Sequence, residues 1–202
     1  MEAVYKRRAF VFGGVFSLIA ATIAPIVASA ATSTSSTTIN ATVAATISIT
    51  SGTSVNIALT PTTGGVVSSA SDTVSVSTNN TAGYTLTVAN TDASTNLTSG
   101  GNTIAAHTGT QASPSALAVN TWGYRVVGVG GFTGTAYSAE TNNGSSTSTW
   151  AGMPAAGSGN VLKTTAATAS ADTTTVWYAV RANATKAAGT YTDSVTYTAV
   201  TN

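Results

Sequence analysis

The sequence predicts an all-β chain, and three observations carry that expectation. Threonine makes up about a fifth of the 202 residues, a bias that suits pleated surfaces where β-branched side chains pack well. Short apolar–polar alternations recur along the chain between turn-forming residues, which is the period of half-buried strands. Beyond the N-terminal segment, no stretch repeats its apolar residues at helical spacing.

Taken in order, the chain opens on a basic stretch, Met1 to Arg8, followed by the apolar run Ala9 to Ala24 and by the small-x-small sequence Ala28-Ser29-Ala30. That order is expected of a signal peptide over residues 1–30, with Pro25 where an apolar helix should stop. The apolar run approaches the roughly 18 residues that a membrane span needs, so a retained anchor is the competing expectation. Either way the chain is expected to be exported, to the exterior or to the cell surface. Without the anchor, the mature chain has no membrane partner. Residues 31–38 form a Ser/Thr-rich tether, and 39–202 are expected to make one domain.

From Ile39 to Ile49 the odd positions Ile39, Val43, Ile47 and Ile49 are apolar, while Asn40, Thr42, Thr46 and Ser48 are polar. This predicts a half-buried strand. The same signature recurs at Val55-Ile57-Leu59, Val74-Val76, Tyr84-Leu86-Val88, Trp122-Tyr124-Val126, Val176-Tyr178-Val180 and Tyr191-Val195-Tyr197. Pro61 and Gly64-Gly65 mark a break, and Asn79 to Gly83 and Ala182 to Gly189 read as hairpin loops. Seven or more short strands with frequent turns predict an antiparallel β-sandwich of Ig-like or related Greek-key topology, with a small barrel as the alternative.

Two stretches break the rhythm. Residues 128–160 are rich in Gly, Ser, Thr, Asn and Ala, and residues 90–114 hold the single histidine, His107. Long loops on a rigid scaffold are where binding is expected. Phe132, Tyr137 and Trp150 in the first are the candidate ligand-binding residues, as aromatics that stack on sugar rings, and Met153 is a further large apolar residue there. The competing expectation is that these aromatics fold back onto the domain as a lid.

The remaining chemistry is sparse. Charged residues are 6% of the chain, against about 25% in an ordinary soluble domain. Outside the N-terminus, Arg125, Lys163, Arg181 and Lys186 face Asp72, Asp92, Glu140, Asp172 and Asp193. With no positive surplus, nucleic acid is not an expected partner. One histidine without a Gly-x-Ser-x-Gly elbow gives no hydrolytic triad, and His107 is expected to be a solvated side chain. The acids lie among Ser, Thr and Ala, where turn and strand-edge roles outweigh paired-carboxylate catalysis. No enzyme activity is expected.

Asn90-x-Asp92-x-Ser94-x-Asn96 places oxygens at alternate positions but lacks the glycine and the closing acid of a calcium loop. Without cysteine and with a single histidine there is no zinc pattern. No metal and no cofactor are expected. The Asn-x-Ser/Thr sequons at Asn40, Asn79, Asn96, Asn143 and Asn183 match the chance level in so Thr-rich a chain. With no disulfide available, the core itself has to supply stability. A Lys–Asn isopeptide through Lys163 or Lys186 is conceivable beside a buried acid, though exposed lysines are far commoner.

Gly83-Tyr84-Thr85-Leu86-Thr87-Val88, and the ending Ala187-Ala188-Gly189-Thr190-Tyr191 through Val195-Thr196-Tyr197-Thr198, resemble strands of bacterial cell-surface β-sandwiches. The nearest group is the WxL-type wall-associated domains. The likeness is loose: no Trp-x-Leu tripeptide is present, since Trp122, Trp150 and Trp177 are followed by Gly-Tyr, Ala-Gly and Tyr-Ala. The resemblance implies an exported protein held at the envelope by non-covalent contact with wall polymers. The leading functional expectation is a structural surface protein, a coat or filament subunit that self-associates. The alternative is a binding module or adhesin that contacts cell-wall or surface glycan through residues 128–160.

Overall fold

A computed structural model describes residues 30–132 and 136–202. Residues 1–29 of the expected signal peptide lie outside the described residues, as do the three residues 133–135 of the long loop. No helix occurs among the described residues, and none is long and apolar enough to cross a membrane. The chain divides into two units, Met1–Ala41 and Thr42–Asn202. In the first, the described residues 30–41 carry no regular secondary structure and are exposed.

The second unit is all-β. Its strands are β1 (Ile47–Thr50), β2 (Val66–Thr78), β3 (Tyr84–Asn90), β4 (Leu97–Ser99), β5 (Asn102–Ala106), β6 (Ser115–Ala116), β7 (Thr121–Arg125), β8 (Thr149–Trp150), β9 (Asn160–Thr164), β10 (Ala169–Ala182) and β11 (Val195–Thr201). Six of them form a sheet in the order β1-β2-β10-β7-β5-β4, three form a sheet β11-β3-β9, and β6 pairs with β8. All pairings are antiparallel except β5 with β7, which run parallel. The expectation of a purely antiparallel sheet is therefore corrected at that pair.

One apolar cluster joins the six-stranded and three-stranded sheets. Val74 and Val76 of β2, Trp122 and Tyr124 of β7, and Val176 and Tyr178 of β10 pack with Tyr84, Leu86 and Val88 of β3 and Leu162 of β9. The two-residue alternation explains this directly, because β3 is buried at Tyr84, Leu86, Val88 and Asn90 and only half-buried between. At the seam, the Tyr178 and Tyr197 hydroxyls meet at 2.7 Å, and the Tyr84 hydroxyl donates to Asp172 Oδ2 at 2.8 Å. A buried phenol oxygen thus finds a partner without leaving the core.

Several local expectations are corrected. Residues 79–83 and 183–194 are not hairpin loops; each carries the chain from the six-stranded sheet to the three-stranded one. Residues 90–114 are not wholly irregular, since they hold β4 and β5. The strand predicted over Ile39–Ile49 is a ladder only from Ile47. The run around Val55, Ile57 and Leu59 keeps its alternation, each half-buried between exposed neighbours, and Val55 and Ile57 pack on the core. Its backbone joins no strand. Period two encodes which face is buried; a ladder needs a partner edge as well.

Candidate functional site

The site begins with a mismatch in strand length. β10 has 14 residues, and β2 follows it from Ala182 to Asp172. β7, on its other side, has five residues and pairs only with Trp177–Arg181. Past Arg125 the chain turns away through a loop closed by Gly128 N–H to the Phe132 carbonyl. Among the described residues, Thr173, Thr174, Thr175 and Val176 are therefore left without a strand neighbour on that side.

A groove of about 520 Å³ opens there. Val126, Val129 and Leu162 line it with apolar surface, while Lys163, Thr175, Tyr137 and Trp177 form its lip. Lys163 Nζ donates to the Thr173 carbonyl at 3.4 Å, which shows that the Thr173 backbone points into the gap. Backbone direction repeats every second residue in a strand, so the Thr175 N–H and carbonyl point the same way. Thr174 Oγ1 is buried with no hydrogen-bond partner among the described residues.

The three aromatic candidates gather beside this groove, around Arg125. The guanidinium lies 4.6 Å from the Tyr137 ring centre, 5.8 Å from Phe132 and 5.9 Å from Trp150. Tyr137 meets Trp150 and Trp177 edge-on, with centroids 5.2 and 4.9 Å apart. Its hydroxyl is 2.8 Å from Ser69 Oγ. Burial pulls the Arg125 guanidinium down from its ordinary value, opposed by Tyr137 and by the Glu140 charge.

Their exposures differ. Phe132 belongs to the main core and Trp150, 0% exposed, to a second cluster with Val67, Leu117 and Ala179. Val67 and Ala179 stand on the same side of the six-stranded sheet as Trp177. Residues 143–151 thus cross the outer face of that sheet from β2 to β7, and neither ring is exposed. Tyr137 is only half-buried. So is Trp177, which in the sequence was noted only for lacking a Trp-x-Leu context. The signal was its place among the polar outward positions Thr173 and Thr175.

The other chemical candidates are occupied within the fold. His107 is not a solvated side chain: it is 6% exposed, its Nδ1 accepts from the Ala118 N–H at 3.4 Å, and its Nε2 lies 2.9 Å from Ser115 Oγ. That pattern fits the neutral ring with its proton on Nε2, and burial lowers its pKa. In the Asn90–Asn96 run, Asn90 Nδ2 donates to Asp193 Oδ2 at 2.6 Å and Asp92 Oδ1 accepts from the Ser94 N–H at 2.8 Å. Those oxygens serve turns. Among the described residues, no group of three His, Asp or Glu side chains converges as a metal site.

Lys163 pairs with Asp172 at 2.5 Å, both side chains about one-third exposed at 31% and 30%. The lysine's hydrogen bond, aided by that of Tyr84, holds the Asp172 carboxyl below its ordinary range against desolvation. Partly exposed as it is, this pair contributes little stability. Lys186 donates to the Thr103 carbonyl at 2.7 Å.

Comparison with family models, curated proteins and solved structures finds no match to this chain.

Proposed function

We propose that this chain is an exported, non-enzymatic structural subunit of the cell envelope, a coat or filament component that assembles with copies of itself. The observation that carries this reading is the run from Ile39 to Val43. It continues the apolar alternation of β1, yet Ile39 is 89% exposed and Val43 85%. A segment with the side-chain pattern of a half-buried strand, and with no strand pairing among the described residues, is a strand awaiting a partner. The low charge agrees, because a near-neutral surface resists association poorly.

Export rests on the order of basic, apolar and small residues at the N-terminus. Two sheets closing on one core, with two arches crossing between them, support a β-sandwich related to Ig-like folds. Retention at the wall by non-covalent contact is the part of the proposal drawn from the WxL-type likeness. The test is light scattering and negative-stain microscopy on protein recovered from the cells that export it. Filaments or large ordered oligomers are expected; a monomer at high concentration would sink the structural reading.

The half-exposed pair Tyr137 and Trp177 at the groove favours a second reading, a module that stacks a saccharide there. Titration with soluble wall fragments, followed by tryptophan fluorescence, separates the two. Saturable binding by a monomer that Trp177→Ala abolishes belongs to the second alone.

A further inference from the structure

Among the described residues two halves of one strand pairing stand unfilled, and resting on the reading of the chain as a self-assembling subunit, we propose that they fill each other. The residues Ile39–Val43 of one copy add to the open edge of β10 at Thr173–Val176 in a second copy. This names both the donor segment and the acceptor site.

The argument is one of complementarity. The donor has Ile39 and Val43 on one face, with the small Ala41 between, and the polar Asn40 and Thr42 on the other. The acceptor has a backbone edge whose Thr175 N–H and carbonyl meet no partner among the described residues. Beneath that edge lies the apolar floor of Val126, Val129 and Leu162. A strand laid along Thr173–Val176 with its odd residues inward covers this floor and completes the ladder that β7 abandons at Arg125. Its even residues then share the outer face with the exposed Thr173 and Thr175. The acceptor lies on β10, which is paired to β2 from Asp172 to Ala182, so its backbone is already extended.

Within its own chain the donor is tethered just behind this segment. Asn79 accepts from the Thr46 N–H at 2.7 Å and donates to the Ala44 carbonyl at 3.0 Å, and β1 pairs with β2 from Ile47 onward. A head-to-tail contact of this kind is heterologous, joining two different surfaces. It propagates into an open filament when its rotation does not close.

The chain contains no cysteine, so single-cysteine variants report this contact cleanly. Protein is purified from the producing cells as Thr42→Cys and, separately, as Thr175→Cys with a distinguishable mass tag, then mixed under mild oxidant. Both positions lie on the outward face of the proposed ladder, so a mixed disulfide dimer is expected. Val43→Cys faces the groove floor, and its cross-link to Thr175→Cys is expected at least tenfold weaker.

Ile39→Asp and Thr175→Pro are each expected to abolish oligomers while leaving the circular dichroism of the monomer unchanged. The proline is tolerable because the Thr175 N–H makes no bond among the described residues. Oligomers that persist in Thr175→Pro, without a Thr42–Thr175 cross-link, would overturn this edge as the acceptor and leave the assembly reading standing. A wild-type chain that is monomeric at every concentration would overturn both. A groove that instead binds soluble saccharide, equally in wild type and in Ile39→Asp, would overturn the strand-addition proposal.

Discussion

Trp150→Ala separates packing from ligand stacking at the most conspicuous aromatic of the long loop. The ring is fully buried against Val67, Leu117 and Ala179, with Tyr137 edge-on at 5.2 Å. Truncating a buried tryptophan costs about 3–5 kcal/mol, since transfer energy and a cavity add together. For a domain of this size that corresponds to a melting temperature lower by roughly 6–20 °C. The indole Nε1 is buried without a hydrogen-bond partner among the described residues, so Trp150→Phe removes an orphaned donor and keeps an aromatic ring. Its cost is expected to stay near or below about 1 kcal/mol. Urea unfolding followed by far-ultraviolet circular dichroism measures both, and the alanine variant is expected to unfold at clearly lower urea. An alanine variant within about 1 kcal/mol of wild type would refute the packing account and return the ring to the surface as a stacking platform.

Other perturbations test the seam, the buried histidine and the close backbone approaches. Burial raises the hydroxyl pKa of Tyr178 and Tyr197 above the ordinary 10.0. Their contribution is therefore complete below about pH 10 and lost as pH rises past it, so alkaline unfolding should coincide with the rise of tyrosinate absorbance. In Tyr197→Phe the Tyr178 hydroxyl loses its 2.7 Å partner, which is expected to cost about 1–3 kcal/mol in urea unfolding at neutral pH. Burial lowers the His107 pKa below 6.5; the unfolded chain then takes up its proton first as pH falls, and stability declines below about pH 6.5. In His107→Gln that part of the pH dependence of the urea midpoint should flatten. Gly152→Ala would place a Cβ 1.8 Å from the His107 carbonyl oxygen, so it is expected to lower the melting temperature sharply or to prevent folding. Gly101→Ala, with open space around it, serves as the neutral control.

How legible was this in the sequence? The core was, because burial in a strand is written locally: Tyr84-Leu86-Val88 and Val176-Tyr178-Val180 stand inward as their alternation requires. Pairing was not. The Val55–Leu59 run has the same alternation and no ladder, since hydrogen bonding depends on an edge supplied by distant residues. The parallel β5–β7 pair and the two arches were invisible for the same reason. At the candidate site, Tyr137, Trp150 and Phe132 were recognisable as aromatics too large for a linker. Whether they faced sugar or protein depended on Arg125 and Trp177, which reach them only through sheet register. The groove was beyond reach, because it exists by the difference in length between β7 and β10.

That difference also bears on solubility. A chain with 6% charged residues cannot rely on like-charge repulsion to keep its sheet edges apart. Among the described residues the recourse is partial cover. Residues 140–143 cap β2 through Glu140 and Asn143, β1 takes its far end, and Thr192 bridges the outer strand β4. Capped edges direct association to whatever remains open. The short open run of β10 is narrow enough to admit one strand and apolar enough beneath to prefer an alternating one. The run of β10 differs from the outer strands β1, β9 and β11 in lying inside a sheet, above an apolar floor, and this favours it as the specific contact. The same argument predicts that opening a second edge should trade ordered assembly for precipitation. Glu140→Ala removes the acceptor of Ser148 Oγ and Asn143 Nδ2 and loosens the cap on β2. Turbidity at fixed concentration is expected to rise in that variant while ordered oligomers decline, and a variant that assembles as the wild type does would show that the cap has no part in specificity.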